Sequence, residues 1–108
     1  MLNSATTLVE RRTVLTAEYG THPYEAGWAS EALFFVRTNG EHPELTITPQ
    51  VSPDGIDWVD HGPSITLAAS EELAKLGMTH FGTWIRLHLS GASADESATI
   101  FVHLALKG

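Results

Sequence analysis

Apolar and polar residues alternate with a period of two along most of the chain, in short runs broken by Gly, Pro and Asp, the pattern of half-buried strands. Residues 13–18 (TVLTAE) open the series. Residues 29–38 hold Leu33, Phe34, Phe35 and Val36, apolar on both faces, which predicts a central strand covered on two sides; Asn39-Gly40 then supplies turn chemistry. In residues 44–52, Leu45, Ile47 and Val51 face one way and Thr46, Thr48 and Gln50 the other. Pro49 has no N–H for a ladder, which predicts an edge position or a bulge there. Pro53-Asp54-Gly55 is a turn, and residues 56–59 and 64–67 are short strands on either side of His61-Gly62-Pro63.

Residues 70–76 predict a single short helix. Ser70 can cap it, Glu71 and Glu72 sit where the helix dipole favours acids, and Gly77 can stop it. The last two strands carry the clearest register. Ile85, Leu87 and Leu89 alternate with Trp84, Arg86 and His88, and Ala98, Ile100, Val102, Leu104 and Leu106 alternate with Thr99, Phe101, His103 and Ala105. Read as a hairpin closed by residues 91–96, they pair Leu87 with Ile100 and Arg86 with Phe101. Seven or eight such strands predict an all-β fold, a single antiparallel β-sandwich of jelly-roll or immunoglobulin-like type, with a closed small barrel as the other arrangement. Residues 1–12 lack a partner pattern and are expected to form an arm, frayed or ordered on a neighbour, leaving 13–108 as the sandwich domain.

The 108 residues suffice for one domain with its own core. Thirteen acidic against six basic side chains give a net charge of −7. That balance makes nucleic acid and anionic membrane poor partners on bulk electrostatics. The absence of cysteine removes disulfides, thiolate nucleophiles and thiolate metal sites. No apolar run approaches the ~20 residues of a bilayer span, and the first residues lack the basic and apolar regions of a signal peptide, so the expected product is cytoplasmic.

Six histidines invite a metal reading, but none pair at i, i+2 on a strand or i, i+3 or i, i+4 on a helix, and no metal or other cofactor is expected. Asp54, Asp57 and Asp60 do not have the spacing of a helical-hand calcium loop. Nucleophile elbows, phosphate-cradling loops and dinucleotide fingerprints are absent, so the chain is not read as an enzyme. Aromatics are what remain. Tyr19, Tyr24 and Trp28 cluster ahead of the central strand, Trp58 follows the turn, and Trp84 heads a late strand. Such side chains can plug the ends of a sandwich, anchor a protein interface, or form a platform for sugar.

Ser52-Pro53-Asp54-Gly55-Ile56-Asp57-Trp58 has a local rationale: Asp54 can accept amides inside the turn, Gly55 supplies a positive φ, and Trp58 folds back over the hairpin. This S-P-D-G-x-x-W string resembles an element of small all-β virion proteins of tailed bacteriophages and prophages. In these an alternating strand leads into the string, and the chain ends in an aromatic-Arg strand, a hydrophobic strand and a lysine. The matching parts here are residues 45–58, 84–89 and 99–107. The resemblance implies a structural, non-catalytic virion protein of capsid-decoration or accessory type, made in the host cytoplasm. It implies a homo-oligomer, a trimer being one candidate, attached to a major capsid or other particle protein. On this reading Arg11 and Arg12 dock the arm on an acidic neighbouring surface, while Tyr19, Tyr24, Trp28 and Trp58 are interface residues. The alternative is a carbohydrate- or surface-binding β-sandwich module.

Overall fold

The computed structural model describes residues 4–108 and consists of ten strands. They are β1 (Ser4–Leu15), β2 (Tyr19–Gly20), β3 (Tyr24–Glu25), β4 (Glu31–Thr38), β5 (Leu45–Ser52), β6 (Val59–Asp60), β7 (Ile65–Leu67), β8 (Leu73–Thr79), β9 (Trp84–Ser90) and β10 (Ala98–Lys107). All pairings are antiparallel. One sheet has four strands in the order β1-β10-β4-β8. The other has six, along the path β2-β9-β5-β6, with β3 also on β9 and β7 also on β5. The two sheets pack as a sandwich, because inward side chains of both belong to one buried cluster: Phe34, Val36, Leu76, Met78, Ile100, Val102 and Leu104 from one, Leu45, Ile47, Ile85, Leu87 and Leu89 from the other.

The period-two pattern therefore assigns inward faces correctly in β5, β9 and β10, whose apolar sets are buried or, at Val51, half-buried; β4, expected to be covered on both faces, buries Ala32, Phe34 and Val36 but leaves Leu33 and Phe35 half-buried on its outer face. The partnership of the last two strands differs from expectation. β9 and β10 do not form a hairpin: β9 pairs with β5, β10 pairs with β1 and β4, and residues 91–97 carry the chain from one sheet to the other. Leu87 and Ile100 thus belong to facing sheets. Gly91 makes this crossing possible. Its φ is +116°, and a Cβ there would overlap the carbonyl oxygen of Glu44.

The helix expected at 70–76 is absent from the described residues. Residues 73–79 form β8, the edge strand that pairs with β4 from Leu73↔Arg37 to Glu31↔Thr79. Ala74, Leu76 and Met78 point inward with period two, which a helix would scatter around its circumference. The acids read as helix-starting instead close a turn, with Glu71 N–H donating to the Ala68 carbonyl and Glu71 Oε1 accepting from Ala68 N–H. His42 sits against this turn, its two ring nitrogens 2.8 Å from the Pro43 carbonyl and 2.6 Å from the Glu71 carbonyl.

The boundary expected at residue 12 falls inside β1. Residues 1–3 of the expected arm lie outside the described residues, but from Ser4 onward the strand pairs with β10. Two register shifts, between Leu8 and Glu10 and between Glu10 and Thr13, reset which side chains face inward, with Arg12 at φ +49° in the second. That is why this segment lacks a clean alternation. Pro49 is likewise placed by a break, although its strand is internal. On the side away from β9, β7 pairs with residues 45–47 and β6 with residues 50–51. The proline lies between them, its carbonyl accepting from His61 N–H, so its missing donor leaves no ladder position empty.

Candidate interaction site

The outer face of the six-stranded sheet is built by the residues that alternate with its core. Register pairs Ser52 with Trp84, Gln50 with Arg86 and Thr48 with His88. The turn after β5 folds onto this face through local hydrogen bonds. Ser52 Oγ accepts from the N–H groups of Asp54 and Gly55 and donates to Asp54 Oδ1 at 2.9 Å, and the same Oδ1 accepts from Ile56 N–H at 2.9 Å and Asp57 N–H at 3.1 Å. These bonds favour the carboxylate form, so the backbone donors of Ile56 and Asp57, then Ser52, hold Asp54 below its ordinary pKa. Gly55 takes φ +79°, and a Cβ added there would lie 3.4 Å from the Trp84 ring.

The turn delivers Trp58 onto Arg86, whose guanidinium carbon lies 4.4 Å from the indole centroid. Arg86 Nε donates to Gln50 Oε1 at 2.8 Å, and Gln50 Nε2 donates to Asp60 Oδ1 at 3.0 Å. Burial under the indole lowers the pKa of Arg86, which still carries its charge at neutral pH. The face is thus a fixed polar and aromatic surface. Its row from Trp58 through Arg86 and Gln50 to Asp60 can present a planar ring edge and a cation to a partner.

The six residues picked out as interface candidates do not assemble into one patch. Trp58 lies on Arg86. Tyr19 and Tyr24, in β2 and β3 beside β9, turn toward the core cluster. The Tyr19 hydroxyl donates to Glu10 Oε1 at 2.8 Å, and burial, then the bond to Glu10 and its charge, push the phenol up to about 12. Trp28, 46% exposed, lies in the loop before β4 against the terminal Gly108. Arg11 and Arg12 are exposed on β1, Arg12 with its guanidinium 5.8 Å from the centroid of Phe101. The aromatic partner of Arg86 is therefore Trp58 and that of Phe101 is Arg12, in place of the Arg86–Phe101 pair expected of a hairpin.

Glu10 is a functional-looking residue that the sequence pattern does not reveal. It is buried, with Thr13 Oγ1, Tyr19 Oη and His22 N–H all donating to its carboxylate within 2.8 Å. The bonds knit β1 to the segment that follows it, and every partner is explained by folding. Elsewhere, a shallow depression of about 400 Å³ at one end of the sandwich is lined by Glu41, His42, Pro43, Asp95, Glu96 and Ser97. Among the described residues no three His, Asp or Glu side chains converge as metal ligands would. A second depression, about 320 Å³, lies on the outside of the four-stranded sheet over Leu33, Gly77 and Ala105.

The family model described as "Domain of unknown function (DUF6385)" matches residues 28–107. No curated protein sequence matches the chain. Among solved structures, it is similar to the SPBc2 prophage-derived protein YomS, with a TM-score of 0.67 at 8% identity over 100% of this chain and 96% of that one. It is also similar to the PBSX exported protein XepA, with a TM-score of 0.69 at 12% identity over 94% of this chain but 36% of that one. A third likeness is to Bacillus endospore appendages, described as a family of disulfide-linked pili, with a TM-score of 0.57 at 13% identity over 97% and 87%. At these identities the likeness is one of fold.

Proposed function

The chain belongs to the DUF6385 family, and from that premise we propose that it is a non-catalytic structural protein, a component of a phage-type particle that acts by self-association and by attachment to a larger assembly. The observation that carries this reading is the end-to-end likeness to the prophage-derived YomS, which spans 100% of this chain and 96% of that one. The likeness to appendage pili supports assembly as the mode of action. Decoration of a capsid surface is the specific form we assign, with Arg11, Arg12 and Trp28 as exposed contact residues and Trp58 presented on Arg86. Tyr19 and Tyr24 serve by fixing the flank of β9.

A carbohydrate-binding role is the second reading, favoured by the 46% exposure of Trp28. Light scattering on the purified chain after size exclusion, combined with tryptophan fluorescence during oligosaccharide titration, separates the two. The structural reading expects a homo-oligomer whose emission is unaffected by sugar. A strict monomer whose emission shifts on titration overturns it.

A further inference from the structure

The outside of the four-stranded sheet has a composition unlike the rest of the molecule. Its strand registers set out rows across β1, β10, β4 and β8. Leu8, His103, Phe35 and Lys75 form one row, Thr6, Ala105, Leu33 and Gly77 the next, and Phe101, Arg37 and Leu73 another. Arg12 lies over Phe101, and Lys107 pairs with Glu31 in the end row. Leu33, Phe35 and Phe101 are half-buried with no layer of the described residues above them, and Leu8 and Leu73 are 40% and 48% exposed. The apolar doublet of Leu33 and Phe35 is what made β4 read as a strand covered on both sides. The described residues cover only one.

Charge says what covers the other. Arg12, Arg37, Lys75 and Lys107, four of the six Lys and Arg side chains, lie on this face, and Glu31 is the one carboxylate placed there by the paired rows of the described residues. The opposite side of the sandwich has the reverse balance. Glu25 pairs with Trp84, Asp60 is bonded to Gln50, Glu18 lies 3.9 Å from His88, and Asp54 and Asp57 ride on the turn folded over that sheet, all around the single Arg86. A protein of net charge −7 thus carries a basic, apolar face back to back with an acidic one.

We infer that the outer face of the four-stranded sheet docks on the acidic outer face of the six-stranded sheet in a second copy of this chain. Two basic faces pressed together would oppose four cations with four, so a symmetric face-to-face pair is disfavoured. The contact is head-to-tail and repeats from copy to copy, generating a ring or a stack according to the rotation between copies. Four strands at ~4.8 Å spacing and eight paired rows at ~3.4 Å make a face of about 500 Å² before side-chain relief. That lies below the ~800 Å² per partner of a standard interface, so each contact is weak and cumulative. This inference rests on the self-association reading above and adds the surface and its partner.

Sedimentation velocity of the full chain across a concentration series tests it, at about 0.01 M and about 1 M salt, where screening lengths are ~30 and ~3 Å. Association should be strong at low salt and fall at least about tenfold at high salt. The double variants R37E/K75E and E25K/D57K should each be monomeric, with thermal unfolding checked against the parent chain, while an equimolar mixture associates. Self-association of E25K/D57K at the parent level overturns the head-to-tail contact. Association that survives R37E/K75E removes this face and leaves the structural-protein reading standing. A parent chain that stays monomeric at every concentration and salt sinks both. Binding of a labelled DNA duplex, lost in R37E/K75E and without self-association, reassigns the face to polyanions and overturns the inference.

Discussion

Replacing Gly91 by alanine isolates the feature on which the crossing between sheets depends. With φ at +116°, an L-residue is held outside its favoured regions, which costs about 1–3 kcal/mol. The added Cβ also meets the Glu44 carbonyl oxygen and lies 3.4 Å from Leu45 Cα, backbone atoms at the start of a central strand that cannot rotate away. Overpacking of this kind adds about 1–3 kcal/mol. The expected loss is therefore about 2–6 kcal/mol. Gly40→Ala is the internal control. Gly40 has φ +84° with no atom within 4 Å of the added Cβ, so only the conformational part applies, about 1–3 kcal/mol. Equilibrium urea unfolding followed by tryptophan emission gives both values. The difference between the two variants, not either alone, measures the close approach. If Gly91→Ala costs no more than Gly40→Ala within about 0.5 kcal/mol, residues 91–97 do not pass against Glu44, and the hairpin that the sequence pattern suggests is restored.

Ile100→Ala empties a fully buried position in β10 and should cost about 2–5 kcal/mol in the same assay; a loss below about 0.5 would put the even positions of that strand in water. Spectrophotometric titration should show a tyrosine ionising near 12. Because the fold raises the Tyr19 pKa, the stability it contributes is whole below about 10 and is lost as the pH climbs toward 12; a spectrum with no tyrosine ionising above about 10 would contradict the Tyr19–Glu10 bond. Deleting residues 1–10 strips β10 of the partners of Lys107 through Val102 and leaves Thr13, Tyr19 and His22 without the Glu10 carboxylate they donate to, so unfolding free energy should fall by roughly 3 kcal/mol or more. An unchanged urea midpoint would make that segment the separable arm first expected.

What could be read from the sequence was whatever depends on near neighbours along the chain. The inward set of β10, from Ala98 to Leu106, follows from alternation alone, and the turn at residues 52–58 follows from side chains reaching amides two or three residues away. Partnership was not legible, because inward side chains look the same whether two strands lie side by side or face each other across a core. Ile85, Leu87 and Leu89 oppose the β10 set in both arrangements. Residues 70–76 mislead for a different reason. Ser70, Glu71, Glu72 and Gly77 carry real helix-end preferences, but these are small beside the burial of Leu76 and Met78 and the hydrogen bonds that β8 gives β4. At the candidate sites, Trp58 was picked out as a residue without its partner. Nothing local to Arg86 announces the indole above it, and nothing around Glu10 announces that a bulge will turn it inward.

The edges of the sandwich bear on how copies of it can meet. An exposed strand edge invites pairing through its free backbone groups, and proteins suppress this with bulges, short strands and charge. Here β1 is interrupted by two register shifts and a positive φ at Arg12, and the ends of the six-stranded sheet are the two-residue strands β2, β3 and β6 and the three-residue β7. Among the described residues only β8 offers a regular edge, and it carries Lys75 at its centre. Growth by adding strands would have to start there and would find no second regular edge among the described residues to receive it. The faces have no such obstruction: each is wide, rigid and of opposite charge, and both survive intact in a monomer. Association through faces should then slow exchange across the covered face in β10, β4 and β8 alike, with no extra protection for the β8 amides that point away from β4. Protection gained only by the β8 amides that point away from β4 would mean that copies join edge to edge, and the charge asymmetry would need another explanation.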